Sequence, residues 1–80
     1  MDDTEVLANI SKLVEEEHTL TRDLEGRSAT AADKARLKEL EVALDQCWDL
    51  LRQRRARREF GDDPSTAEVR PGDVVEKYRQ

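Results

Sequence analysis

The 80-residue sequence holds one cysteine, one histidine, two prolines, three glycines, and a single Phe, Trp and Tyr. A lone Cys47 excludes an internal disulfide, and without a Cys-x-x-Cys pair or a histidine cluster no spacing suits a structural zinc site. No run approaches the roughly 18 apolar residues needed to cross a bilayer, and the opening "MDDTEV" has neither the basic nor the apolar region of a secretory leader. These absences predict a cytoplasmic protein without membrane contact, in a reducing compartment that suits an unpaired thiol. With 41% charged residues and three aromatics, the chain is too small to enclose both a core and a substrate pocket. That argues against an enzyme and against a bound cofactor. A core of this size contributes roughly 3 to 5 kcal/mol at best, so self-association is the expected source of further stability.

Charge and apolar periodicity are what the sequence does contain. The net charge of −5 is uneven: residues 1–25 carry eight acids against two bases, 26–60 nine bases against six acids, and 61–80 five acids against three bases. Val6, Ile10, Leu13, Leu20 and Leu24 recur three and four apart, which predicts an amphipathic helix over about 4–25, started by Asp2, Asp3 and Glu5 and stopped at Gly26. Thr30 followed by Asp33 resembles a capping box and opens a second helix over about 31–60. Its stripe is Leu37, Leu40, Leu44, Cys47 and Leu51.

So short a connection predicts an all-α, antiparallel two-helix hairpin, coiled-coil-like, over residues 1–60. Matching the stripes sets Leu20 beside Leu37, Leu13 beside Leu44, Ile10 beside Cys47 and Val6 beside Leu51. Asp2, Asp3 and Glu5 then fall beside Arg54, Arg55 and Arg58. Residues 61–80, with both prolines and no sustained period, read as an extended C-terminal tail in which Val74, Val75 and Tyr78 could form a terminal turn. Whether this tail docks on the hairpin or stays mobile is open at this level.

Four constellations invite chemistry. Arg52, Arg54, Arg55, Arg57 and Arg58 suggest contact with a polyanion or nucleic acid, with Arg70 and Lys77 as tail partners. At about 100° per residue, however, they point around most of the helix and form no stripe. Pairing with the acids of the first helix explains them better. Glu15-x-x-His18 has the spacing of a helical di-metal motif, but heptad phase puts both residues outside the hairpin, which predicts no metal site. Glu17 interrupts the first stripe at an inward position, and its head should reach Arg36 or Lys38 at the rim. Cys47 lies inside the seam, where it acts as a small apolar side chain.

Trp48 flanks the seam near Leu7 and Val14, and Leu50 extends the apolar surface on the other side of the second helix. This is more apolar flank than a lone hairpin covers, so Leu7, Val14, Trp48 and Leu50 are the predicted interaction residues. The expected assembly is a homodimeric four-helix bundle that also accepts one protein partner.

The stretch "LEVALDQCWDLLRQRRARREFGDDP", followed by "AEVRP" and preceded by "LVEEEHTL", resembles a family of small actinobacterial proteins described only as a domain of unknown function. The most specific part is "LDQCWDLLRQRRA", Leu44 to Ala56. The resemblance implies an actinobacterial, cytoplasmic, helical protein and transfers no catalytic residue. The function expected is a self-associating interaction or scaffold module, with polyanion binding through the arginine cluster as the alternative.

Overall fold

The computed structural model describes residues 2–76. Helix α1 spans Asp3–Asp23 and helix α2 spans Ala31–Glu59, packed as an antiparallel hairpin. Each starts where the sequence supplies a cap. The Asp2 carboxylate accepts from Glu5 N–H at 2.8 Å. Thr30 and Asp33 form a full capping box, with Asp33 N–H donating to Thr30 Oγ1 at 3.1 Å and Thr30 N–H to Asp33 Oδ2 at 2.9 Å. Those bonds from Thr30 hold the Asp33 carboxyl below its ordinary value.

α1 ends two residues before the expected Glu25, its chain entering the left-handed region at Gly26 (φ 79°). α2 ends in a Schellman motif: Gly61 takes φ 80°, its N–H donates to the Arg58 carbonyl, and Asp62 N–H donates to the Arg57 carbonyl at 2.7 Å. Only a residue tolerant of positive φ can make that turn, so glycine fixes the stop.

The core is short and lies toward the open end of the hairpin. Val6, Ile10 and Leu50 are its buried centre, with Leu44, Cys47, Leu51 and Ala67 packed against them. This keeps the register expected from the stripes. Leu40 and Val75 are also buried. Full burial of such a side chain contributes roughly 1.5 to 3 kcal/mol.

The described part of the tail, residues 61–76, packs along α2. After Gly61 a 3-10 turn forms at Pro64–Thr66, where Asp63 accepts from Ser65 N–H at 2.9 Å. An extended stretch follows, and helix α3 spans Gly72–Glu76. Both the 3-10 turn and α3 contact α2. At Gly72 the backbone comes so close to α2 that an added Cβ would stand 2.5 Å from Val42 Cγ1. Of the terminal turn expected from Val74, Val75 and Tyr78, the two valines lie at α3 and Val75 is 3% exposed. Tyr78 and Lys77 lie outside the described residues.

Candidate functional site

Three side-chain groups hold the chain together, and the surface they leave uncovered is the candidate site. At the open end, Asp3 binds two arginines of α2: Arg54 Nε at 2.6 Å and Arg58 Nη1 at 2.9 Å. The hydrogen bond from Arg54, then that from Arg58, lowers the Asp3 pKa. Arg54 also donates to the Pro64 carbonyl at 3.2 Å and is only 8% exposed, so one guanidinium joins α1, α2 and the 3-10 turn.

The second group fastens the tail. Asp49 is 1% exposed and accepts from both Arg70 and Gln53; Arg70 Nε lies 2.8 Å away and a second Arg70 nitrogen binds the other carboxylate oxygen. The hydrogen bonds from Arg70 lower the Asp49 pKa against the opposing effect of burial. Gln53 also donates to the Glu68 carbonyl at 2.8 Å, and Gln46 to the Arg70 carbonyl at 3.1 Å. An extended segment without a strand partner thus has the Glu68 and Arg70 carbonyls satisfied by Gln53 and Gln46, two turns apart on α2.

The third group lies at the closed end, where Arg36 binds Glu16 across the hairpin and Glu39 along α2 at 3.0 Å. These bonds, with that to Glu16 the largest, raise the Arg36 pKa. Arg36 overhangs an open groove of about 530 Å³ between the helices, lined by Lys12, Glu16, Thr19 and Leu20 among others. Glu17, expected to reach Arg36 or Lys38, is half-buried, and neither cation serves it: Arg36 is held by Glu16 and Glu39, and Lys38 Nζ lies 2.7 Å from Glu76. Lys38 sits on the side of α2 that faces the tail, so α3 claims it first.

The predicted anion-contact residues separate accordingly. Arg54 and Arg58 are spent on Asp3, Arg55 forms an exposed pair with Glu59 at 3.4 Å, Arg57 is half-buried and Arg52 is exposed. They do not converge on one anion site. Glu15 and His18 are both exposed on α1 and border a surface depression with Val14, Thr19 and Arg22. Burial pushes the Cys47 thiol up, away from nucleophilic character.

The predicted interaction residues also divide. Leu7, Trp48 and Val14 remain 49%, 47% and 38% exposed on one flank of the hairpin. Leu50, on the opposite flank, is 4% exposed and packs with Val6, Ile10 and Ala67, so it belongs to the core of the chain itself. The tail, supplying Ala67, is the physical reason. Three carboxylates that the sequence separates by up to 35 positions also meet: oxygens of Glu41, Asp45 and Glu76 lie within 4.8 Å of one another beside Lys38. A group of this kind can hold a cation or a guanidinium. It was illegible beforehand because Glu76 joins it only through the docking of α3.

Among the described residues no helix is long and apolar enough to cross a membrane. A family described as "Protein of unknown function (DUF2630)" matches residues 2–80. An uncharacterised protein of Mycobacterium tuberculosis and one of Mycobacterium bovis are each 51% identical over 77 residues, covering 95% of this chain and 88% of the relative. No solved structure matches the chain.

Proposed function

The chain belongs to the DUF2630 family, and for it we propose a non-catalytic role: a cytoplasmic interaction module that associates with a second copy of itself through the flank of Leu7, Val14 and Trp48. The observation that carries this reading is the exposure of all three of these apolar side chains, which heptad phase assigns to one flank, while Leu50 on the other is buried with Ala67 packed against its cluster. A tryptophan between two aliphatic residues has the composition of an interface centre, where aromatic anchors contribute most of the binding energy. The small core supports the reading too, because a second copy would add apolar burial that one chain lacks. An unpaired Cys47 suits the reducing cytoplasm.

Light scattering across a dilution and salt series tests this. A mass of twice 9.2 kDa is expected for the full chain, falling to that of the monomer in Trp48→Ala at the same concentration. A mass that Trp48→Ala leaves unchanged would rule out the interface.

A further inference from the structure

We propose that the face of α2 beneath the tail is a recognition site for an extended, arginine-bearing peptide, occupied in cis by the chain's own residues 67–72 and open to a segment of another protein when the tail lifts. The site is separate from the Trp48 flank, and its occupant does not depend on self-association.

What the face accepts is shown by what it holds. Asp49, 1% exposed, takes the Arg70 guanidinium on both carboxylate oxygens, with Nε at 2.8 Å from one and a second nitrogen on the other. Such a fork suits arginine and not lysine, whose ammonium is a compact point charge. Gln53 and Gln46 donate to the carbonyls of Glu68 and Arg70, so the face also binds main chain, while the side chains of Glu68 and Val69 stay exposed. Close fit is confined to two further positions. Three residues before the arginine, Ala67 packs against the cluster of Val6, Ile10 and Leu50. Two residues after it, Gly72 leaves no room for a side chain, since a Cβ would stand 2.5 Å from Val42 Cγ1, and valine is stiff at χ1. The ligand is therefore an extended segment with an apolar residue, two unread positions, arginine, one more residue and glycine.

The tail is held in a way that permits exchange. Among residues 62–76 Val75 alone is buried, Arg70 is 44% exposed in its side chain, and the Lys38 and Glu76 pair is 58% and 29% exposed. A segment fixed by exposed hydrogen bonds and few apolar contacts opens at a lower free energy than the helices it covers. Its departure uncovers Leu50 and takes the guanidinium from the Asp49 carboxylate, so the vacated face favours another arginine. While tethered, the tail competes at an effective concentration on the order of millimolar. A ligand that makes only the same contacts displaces it near that concentration, and binds more tightly once the tail is loosened.

The probe is a synthetic peptide of residues 62–76, titrated against the full chain with helicity recorded alongside. Arg70→Met in the protein weakens the cis occupant, and the peptide should then bind about tenfold more tightly than to the parent, because more of the protein is open. Against that protein, a peptide carrying Arg70→Lys should bind about tenfold less tightly than the unchanged peptide, through loss of the two-point contact with Asp49. Gly72→Ala in the peptide should weaken it about as much, through the clash with Val42. Adding Asp49→Asn to the protein should bring the arginine and lysine peptides to within about threefold of each other, since they then lack the group that distinguishes them.

A second measurement leaves the protein unsubstituted. At millimolar concentration the peptide should speed amide exchange in residues 62–76 of an isotopically labelled parent chain, while α1 keeps its protection. Binding that ignores Arg70 and Gly72 of the peptide overturns the proposal, as does the absence of binding to the Arg70→Met protein. So does a parent tail whose exchange the peptide leaves unchanged.

Discussion

Trp48 and Leu50 stand two residues apart on α2, yet one is 47% exposed and the other 4%. On the Leu50 flank the chain returns, laying Ala67 against the Val6 and Ile10 core and fixing itself through Asp49, Gln53 and Arg70. On the other flank, to which heptad phase assigns them, Trp48, Leu7 and Val14 all remain exposed. The difference teaches that the tail acts as a third layer on one side of a two-helix hairpin. It is held there chiefly by hydrogen bonds from polar side chains of α2, which is why an apolar period never announced it. What stays open is the side on which α2 carries an aromatic.

The comparison breaks most directly at Leu50. Leu50→Ala should cost about 2 to 5 kcal/mol, a large share of the stability of so small a chain, whereas Trp48→Ala should change the melting of the isolated monomer by about 0.5 kcal/mol or less. Chemical denaturation of both variants below the dimer concentration checks this. Comparable losses would mean that the two flanks are equally covered in solution.

Next is the latch. Arg70→Met leaves the buried Asp49 carboxylate with Gln53 alone. Removing one partner of a buried pair costs about 3 to 5 kcal/mol, and less here because the Arg70 side chain is 44% exposed and its charge is screened by solvent. The loss should be local, with faster amide exchange and proteolysis in residues 62–76 and little change in α1. Protection of the tail equal to that of the parent would show that the latch does not hold it.

The smallest effect is on pH dependence. Asp49 binds its proton less readily folded than unfolded, so its contribution is complete above the ordinary aspartate range and is lost as the pH falls through the lowered folded value. In Arg70→Met the largest influence lowering the Asp49 pKa is removed, with Gln53 and Arg52 still opposing burial, so the Asp49 contribution to acid lability shrinks. The acid transition of the tail should therefore be shallower in the variant, as measured by amide exchange between neutral and acidic pH. Asp3, Asp33 and Asp63 are lowered by their own partners and supply the same acid-labile background in both proteins.

Much of the hairpin was legible. The three-and-four spacing of Val6, Ile10, Leu44, Cys47 and Leu51 set its register, Thr30 and Asp33 set the start of α2, and Gly61 set its end. The meeting of acidic and basic segments foretold the pairing of Asp3 with Arg54 and Arg58, though Arg55 turned to Glu59 instead. These features are legible because they depend on neighbours one to four positions apart, or on a register that a short loop enforces. The flank that carries Leu50 was read as open, and no local pattern singled out Asp49.

The sequence by itself therefore determined the two helices, their caps, their antiparallel register and the seam between them, since local hydrogen bonding and helical periodicity are properties of short stretches of chain. Only the tertiary structure decided the side on which the tail lies. That choice rests on contacts between residues 15 to 38 positions apart, Gln53 with Glu68, Asp49 with Arg70 and Lys38 with Glu76. It turned Leu50 into core, brought Glu76 to Glu41 and Asp45, and left Trp48 half-exposed, because the described part of the tail lays Ala67 against the Leu50 side of α2.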